Sequence, residues 1–197
     1  MAEAVSVDQL LGPRVTLDEW VTLPEDVPGE FVNGRLVEEE VTDYLHEVLV
    51  AWLARVIGDW AEQVGAIVGA SEAKFILSPT RGRKADLTVY LAGRRPPARG
   101  SITTPPDVAV EVVSASPRDQ RRDRVEKMDD YARFGIRFYW LIDPQQRIVE
   151  ILELRTDGTY VQRELASGGT LSDVPGCSGL SLDLDAMWRK IDALDDQ

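Results

Sequence analysis

A single cysteine, Cys177, among 197 residues excludes an internal disulfide and a zinc-finger spacing alike, and makes a reducing compartment the simpler setting. No apolar stretch reaches the ~18 residues that a membrane span needs, and no opening run joins a charged segment to an apolar one as a secretion signal does. The expectation is a soluble, cytoplasmic protein without a membrane partner. Positive charge is also scarce: 22 Lys and Arg against 34 Asp and Glu give a formal net charge of -12. That balance argues against binding nucleic acid by overall charge alone.

The scarce positive charge is unevenly placed. Arg81 to Arg124 holds 10 basic and 5 acidic residues, so this segment is +5 and the remainder is -17. Local excess of this kind is what a phosphate-bearing substrate needs near its site, although basic side chains in loops are also commonly just solvated. At 44% hydrophobic content the length suits one domain over 1–197. Its expected parts are an N-terminal arm and hairpin (1–41), a core (42–143), and C-terminal strands with a short helix (144–197).

The chain is organised around Pro106 to Ser116. Val108, Val110 and Val112 fall on one face of a strand, and Ala109, Glu111 and Val113 on the other. Both faces are apolar except at Glu111, the mark of a central strand covered on both sides. A buried carboxylate costs several kcal/mol unless something receives it, so Glu111 needs a partner. That partner is either an Arg or Lys in a buried ion pair, or a metal. A second strand over Lys84 to Leu91 has Asp86 at its entrance, and side by side the two strands bring two hard oxygen ligands together, as Mg²⁺ or Mn²⁺ prefers.

Around this centre the other elements follow from pattern. Thr16 with Glu19 three residues on reads as a capping box that opens a short helix. Asn33-Gly34 between Glu30 and Val37 is a hairpin signal, because a tight primed turn needs positive φ; this front end reads as scaffold. Apolar residues from Leu45 to Trp60 at three- and four-residue steps predict a long helix over about 42–63. His46, the only histidine, lies beside that stripe as a boundary residue or a ligand. One strand is expected over Ala66 to Leu77, turning at Ser78 to Gly82 into the Asp86 strand, and an exposed basic loop over Gly93 to Gly100.

A helix over about 119–134, stopped by Gly135, follows the Glu111 strand. Val125, Met128 and Ala132 form its expected core stripe, with Asp123, Lys127 and Tyr131 on the neighbouring one. There Lys127 either leans toward Glu111 or pairs with Asp123 on the surface. Arg137 to Pro144 forms a strand parallel to the Glu111 strand through a right-handed crossover. Ile148 to Leu154, an edge strand over Tyr160 to Leu165 and an acidic helix over Leu184 to Leu194 complete the chain.

The order helix, strand, strand with Asp, strand with Glu, helix, strand resembles the core of the PD-(D/E)XK nuclease superfamily. More closely, Pro106 to Ser114, then Asp123, Lys127 and Tyr131 at four-residue steps, then Gly135 to Pro144, is similar to the Uma-two family of restriction-endonuclease-type proteins. The Asn33-Gly34 hairpin, His46 and Gly158-Thr159-Tyr160 also fit, so the likeness spans nearly the whole chain. The resemblance implies an α/β fold with a restriction-endonuclease-like core: a mixed central sheet flanked by helices, order α-β-β-β-α-β, with an N-terminal hairpin and C-terminal extra strands. It implies that Asp86 and Glu111 hold Mg²⁺ or Mn²⁺, with the carbonyl of Val112 a further ligand. The superfamily's lysine stands two residues after the strand acid, where this chain has Val113; Lys127 would replace it from the helix. His46, Ser114, Asp123 and Tyr131 are accessory positions. Ala85 stands where the family usually has Pro, and Ala115 where Pro often follows Ser114.

The expected activity is therefore metal-dependent hydrolysis of DNA phosphodiesters. Asp86 and Glu111 bind the metal, Lys127 assists the water, and Arg81, Arg83, Lys84, Arg118, Arg121 and Arg122 hold flanking phosphates. A homodimer is expected for cutting both strands. Rival readings are a noncatalytic nuclease-fold module that binds DNA or protein, and a hydrolase of a small phosphodiester.

Overall fold

Both faces of the Glu111 strand are covered, as its two-sided apolar pattern requires. The computed structural model describes residues 12–24, 27–37, 43–71 and 73–195, so most of the expected N-terminal arm lies outside the described residues. Strand β7 (Val108–Val112) is buried at every position. Val108, Val110 and Val112 pack on Leu49, Leu53 and Ile57 of helix α2 (Tyr44–Val64). Ala109 and Val113 instead join Tyr131 in a second core on the opposite face. Each buried aliphatic or aromatic side chain contributes about 1.5–3 kcal/mol, so this sandwich dominates the fold's stability.

The main sheet has six strands in the order β10-β9-β8-β7-β6-β3. Its strands are β3 (Ile67–Ala70), β6 (Leu87–Tyr90), β7, β8 (Phe138–Asp143), β9 (Ile148–Leu154) and β10 (Tyr160–Ala166). β7 and β8 are parallel, as the crossover argument requires, and the remaining pairs are antiparallel. The crossover runs through α3 (Pro117–Arg121), one wide π-helical segment (Arg122–Lys127) and α4 (Met128–Phe134). Gly135 ends it at φ 91°, a left-handed cap that costs glycine nothing.

A smaller sheet, order β2-β1-β5-β4, stands beside the first. It comprises β1 (Glu30–Val32), β2 (Arg35–Val37), β4 (Phe75–Ser78) and β5 (Arg81–Arg83). Asn33 and Gly34 take φ 52° and 77°, the positive angles of a primed turn. Helix α1 (Leu17–Thr22) begins with the expected Thr16 and Glu19 capping box and seats Trp20 against Phe31 and Leu36. At the C-terminus β11 (Thr170–Ser172) and β12 (Ser181–Asp183) form a pair that the sequence pattern did not reveal, and α5 (Leu184–Asp195) packs beside α2 through Met187, Trp188 and Ile191.

Two expectations are corrected. Ala66 to Leu77 is two strands in two sheets: β3 pairs with β6, while β4 turns through Pro79-Thr80 into β5. The break carries Phe75 out of the main sheet's core into a separate cluster with Tyr90 and Ile102. In the crossover helix Val125 is exposed, and Arg122, Asp123, Lys127, Asp130 and Tyr131 are the buried positions. The polar stripe faces inward because Glu111 and Arg83 wait there to receive it, and paired charges tolerate burial that single ones do not. The wide turn over Arg122–Lys127 lies in the same stretch, where such π segments commonly mark function.

Candidate active site

Asp86 immediately precedes β6, one step beyond the Leu87–Val110 pair of β6 and β7. Continuing that antiparallel register sets Asp86 beside Glu111, and the Val112 amide donates to Asp86 Oδ2 at 2.7 Å. Helix α2 closes this side. Asp43 caps its first turn by accepting the His46 amide at 2.9 Å, which brings His46 Nε2 to 3.2 Å from Asp86 Oδ2. Burial alone would push the His46 pKa down, but the hydrogen bond and charge of Asp86 outweigh it and the net shift is upward.

Glu111 occupies the other face of β7 and is 2% exposed. Lys127 Nζ donates to its Oε2 at 2.9 Å and the Tyr131 hydroxyl to its Oε1 at 2.7 Å. Lys127 thus leans on Glu111 rather than lying on the surface. Its ammonium also reaches the Lys84 carbonyl at 3.3 Å, Glu30 Oε1 at 3.6 Å and Asp123 Oδ1 at 3.8 Å. Burial raises Glu111 well above the usual carboxylate range, with Lys127 opposing and Asp86 and Asp123 adding to the rise. Burial likewise holds Asp123 up at about 6.

A second layer of charge lies behind Lys127. Glu30 is fully buried, accepts the Lys84 amide at 2.9 Å and pairs with Arg83 Nη1 at 2.6 Å. Burial would raise its pKa, but Lys127 and Arg83 together bring it down to about 2. The other edge of Arg83 meets Asp130 Oδ2 at 2.6 and 2.9 Å. Sequence pattern missed Glu30 and Asp130. Glu30 opens an ordinary hairpin strand and Asp130 sits among charged helix residues, so neither carried a periodic signal.

The basic positions separate by burial. Arg118 and Arg121 are exposed at the start of the crossover helix, and Arg81 is partly buried against Asp130, 3.1 Å from Nε to Oδ1. Arg83, Lys84 and Arg122 are buried. Arg83 turns inward to Glu30 and Asp130, and Arg122 Nε stands 3.8 Å from Asp123 Oδ1, so paired charges are buried together. Ser114 is half-buried just past the end of β7. A cavity of about 130 Å³ lined by Ser78, Thr80, Arg81, Asp130 and Arg133 lies near this charge layer. The cleft of about 500 Å³ at Trp60, Leu91, Arg137 and Phe138 lies at the opposite end of the sheet, where β6 ends and β8 begins.

The residues fit a divalent cation. Asp123 Oδ1 is buried without a hydrogen-bond partner among the described residues, and burial lifts both Asp123 and Glu111. A metal ion beside them would offset the cost of keeping these buried carboxylates charged. Among the described residues no three His, Cys, Asp or Glu side chains form a ready metal cage. Mg²⁺ commonly takes one or two carboxylates and keeps water for the rest, which two strand carboxylates can provide.

The model of a family described as "Uma2: Putative restriction endonuclease" matches residues 16–185. Among solved structures, a chain from Anabaena variabilis ATCC 29413 described as "a putative nuclease belonging to DUF820" is 20% identical, with a TM-score of 0.70 over 90% of this chain and 99% of that one. At that identity it is the fold that is shared. No curated protein matches the chain.

Proposed function

The chain belongs to the Uma2 family of restriction-endonuclease-type proteins, and on that premise we propose that it is a metal-dependent endonuclease hydrolysing phosphodiester bonds of DNA. The observation that carries this reading is the meeting of Asp86, Glu111 and Lys127 at one end of the sheet, with Lys127 Nζ 2.9 Å from Glu111. Asp86, Glu111 and the Val112 carbonyl hold Mg²⁺ or Mn²⁺. When bound, the cation supplies positive charge to the scissile phosphate and makes water more acidic. Lys127 orients the attacking water and offsets charge as it develops on the phosphate. His46 and Tyr131 keep Asp86 and Glu111 in place by hydrogen bonds, the usual work of groups behind a ligand. Arg118 and Arg121, at the surface, hold flanking phosphates and set register rather than sequence. A two-fold dimer would bring two such sites to the two strands.

The test is nicking of supercoiled plasmid with Mg²⁺ or Mn²⁺, comparing wild type with Asp86→Asn and Glu111→Gln of matched melting temperature. Both substitutions are expected to lower the rate by about 100-fold or more. Wild-type cleavage by Glu111→Gln under the same metal and salt would end this reading. One observation favours a noncatalytic DNA-binding module instead: both Glu111 oxygens already have partners within the chain. Under that alternative, DNA binding survives chelator and Mn²⁺ leaves the melting temperature unchanged.

A further inference from the structure

Glu30 belongs to the smaller sheet, yet its buried carboxylate faces the charged end of the larger one. Oε1 accepts the Lys84 amide at 2.9 Å and stands 3.6 Å from Lys127 Nζ, and Oε2 accepts Arg83 Nη1 at 2.6 Å. Lys84 is the residue whose carbonyl receives Lys127 at 3.3 Å and the Tyr131 hydroxyl at 3.5 Å. Glu30 therefore acts on Lys127 twice, directly through charge and indirectly by fixing the Lys84 backbone. A lysine amine on a flexible four-carbon stem keeps one position only when acceptors converge on it. Here the Lys127 ammonium donates to Glu111 on β7 and to the Lys84 carbonyl after β5, while the charges of Glu30 on β1 and Asp123 on its own helix draw it at 3.6 and 3.8 Å.

We propose that Glu30 is a positioning residue, holding the Lys127 amine against Glu111 and so making the N-terminal hairpin sheet part of the working site. The proposal deepens the nuclease reading and rests on it. The rival account is that Glu30 merely balances the buried charge of Arg83. Asp130 separates the two, because it is Arg83's other acid, 2.6 Å from Nη2, and belongs to the same ion-pair chain. If balancing Arg83 were the whole role, removing either acid would have the same effect. Glu30→Gln and Asp130→Asn each remove one charge at constant shape and retain a carbonyl that can accept from Arg83.

Two readouts on the full-length chain decide it: steady-state plasmid nicking, and the ¹⁵N resonance of the Lys127 ammonium. For Glu30→Gln the expected result is a kcat lower by roughly 10- to 100-fold with KM unchanged, and a displaced or broadened Lys127 resonance. Asp130→Asn should keep kcat within about twofold and leave the resonance in place. Equal loss of kcat in both variants, or a Lys127 resonance unmoved in Glu30→Gln, would overturn the proposal. Should the wild-type chain cleave no DNA, the nuclease reading fails by itself. The resonance then decides alone, sustaining the positioning contact if it moves in Glu30→Gln only and overturning it otherwise.

Discussion

Replacing Lys127 by methionine removes an ammonium while keeping an unbranched stem of similar length. The ammonium is 2.9 Å from Glu111, 3.6 Å from Glu30 and 3.8 Å from Asp123, and its side chain is 3% exposed. Without it, acids remain buried with too little positive charge. Breaking a buried pair from one side costs about 3–5 kcal/mol. Proton uptake limits that cost, because Glu111 can be neutralised instead. From its ordinary value of 4.5 to pH 7 this is at most about 2.5 pK units, a ceiling of roughly 3.4 kcal/mol, because burial already raises Glu111 in the wild-type chain and that part is common to both. For a chain of this size each kcal/mol moves the midpoint by about 2–4 °C, so Lys127→Met should melt below wild type at pH 7 by up to roughly 10 °C. At pH 5 the same proton costs only about 0.7 kcal/mol, and the difference should shrink to a few degrees. Thermal unfolding followed by circular dichroism in chelator, at both pH values, provides the assay. A difference under about 3 °C at pH 7 would refute an ionised Glu111 paired with Lys127 in the wild-type chain. One that stays constant between pH 7 and pH 5 would refute its electrostatic cause.

Two further outcomes follow from the same geometry. Asp123 titrates at about 6 in the folded chain against an ordinary 3.8, so its ionisation opposes folding above pH 6 and has no such effect below 3.8. In chelator, Asp123→Asn should therefore raise the melting temperature at pH 8, with a ceiling of roughly 3 kcal/mol, and show no gain at pH 3.5; a gain of equal size at both would contradict the assignment. A Cβ at Gly82 would lie 2.4–2.8 Å from three ring carbons of Trp20, a rigid side chain that is 1% exposed. Gly82→Ala should destabilise by about 1–3 kcal/mol in a urea titration, and an unchanged midpoint would show that Trp20 can move aside.

Much of the main sheet was legible because burial on two faces leaves a strong mark. Val108 to Val113 alternates onto two cores with Glu111 as the single polar interruption, so the strand and its exceptional residue appeared together. Gly135 and the Asn33-Gly34 turn were equally readable, since positive φ restricts which residues can stand there. The crossover helix was harder. Val125 fits an apolar stripe but is exposed, while Lys127 and Asp123 look like a surface pair but are buried. Periodicity reports which residues share a face, and cannot report that the opposing surface presents Glu111 and Arg83. The burial of Arg83, Lys84 and Arg122 was hidden for the same reason, because a basic residue with a distant acid partner has the same local sequence as a solvated one.

The sequence by itself determined the order of the main elements, the strand acids Asp86 and Glu111, and, through the spacing of its motifs, the family. These are local properties: alternation, capping and turn chemistry act over a few residues, and a motif is a set of spacings along the chain. Only the tertiary structure decided that Ala66 to Leu77 divides between two sheets, that half of the expected phosphate-binding positions point inward, and that Glu30 stands 3.6 Å from Lys127. Glu30 and Lys127 are 97 residues apart in sequence. Their meeting depends on how the small sheet packs against the crossover helix, and Coulomb attraction between buried groups acts through that separation in space, whatever their distance along the chain.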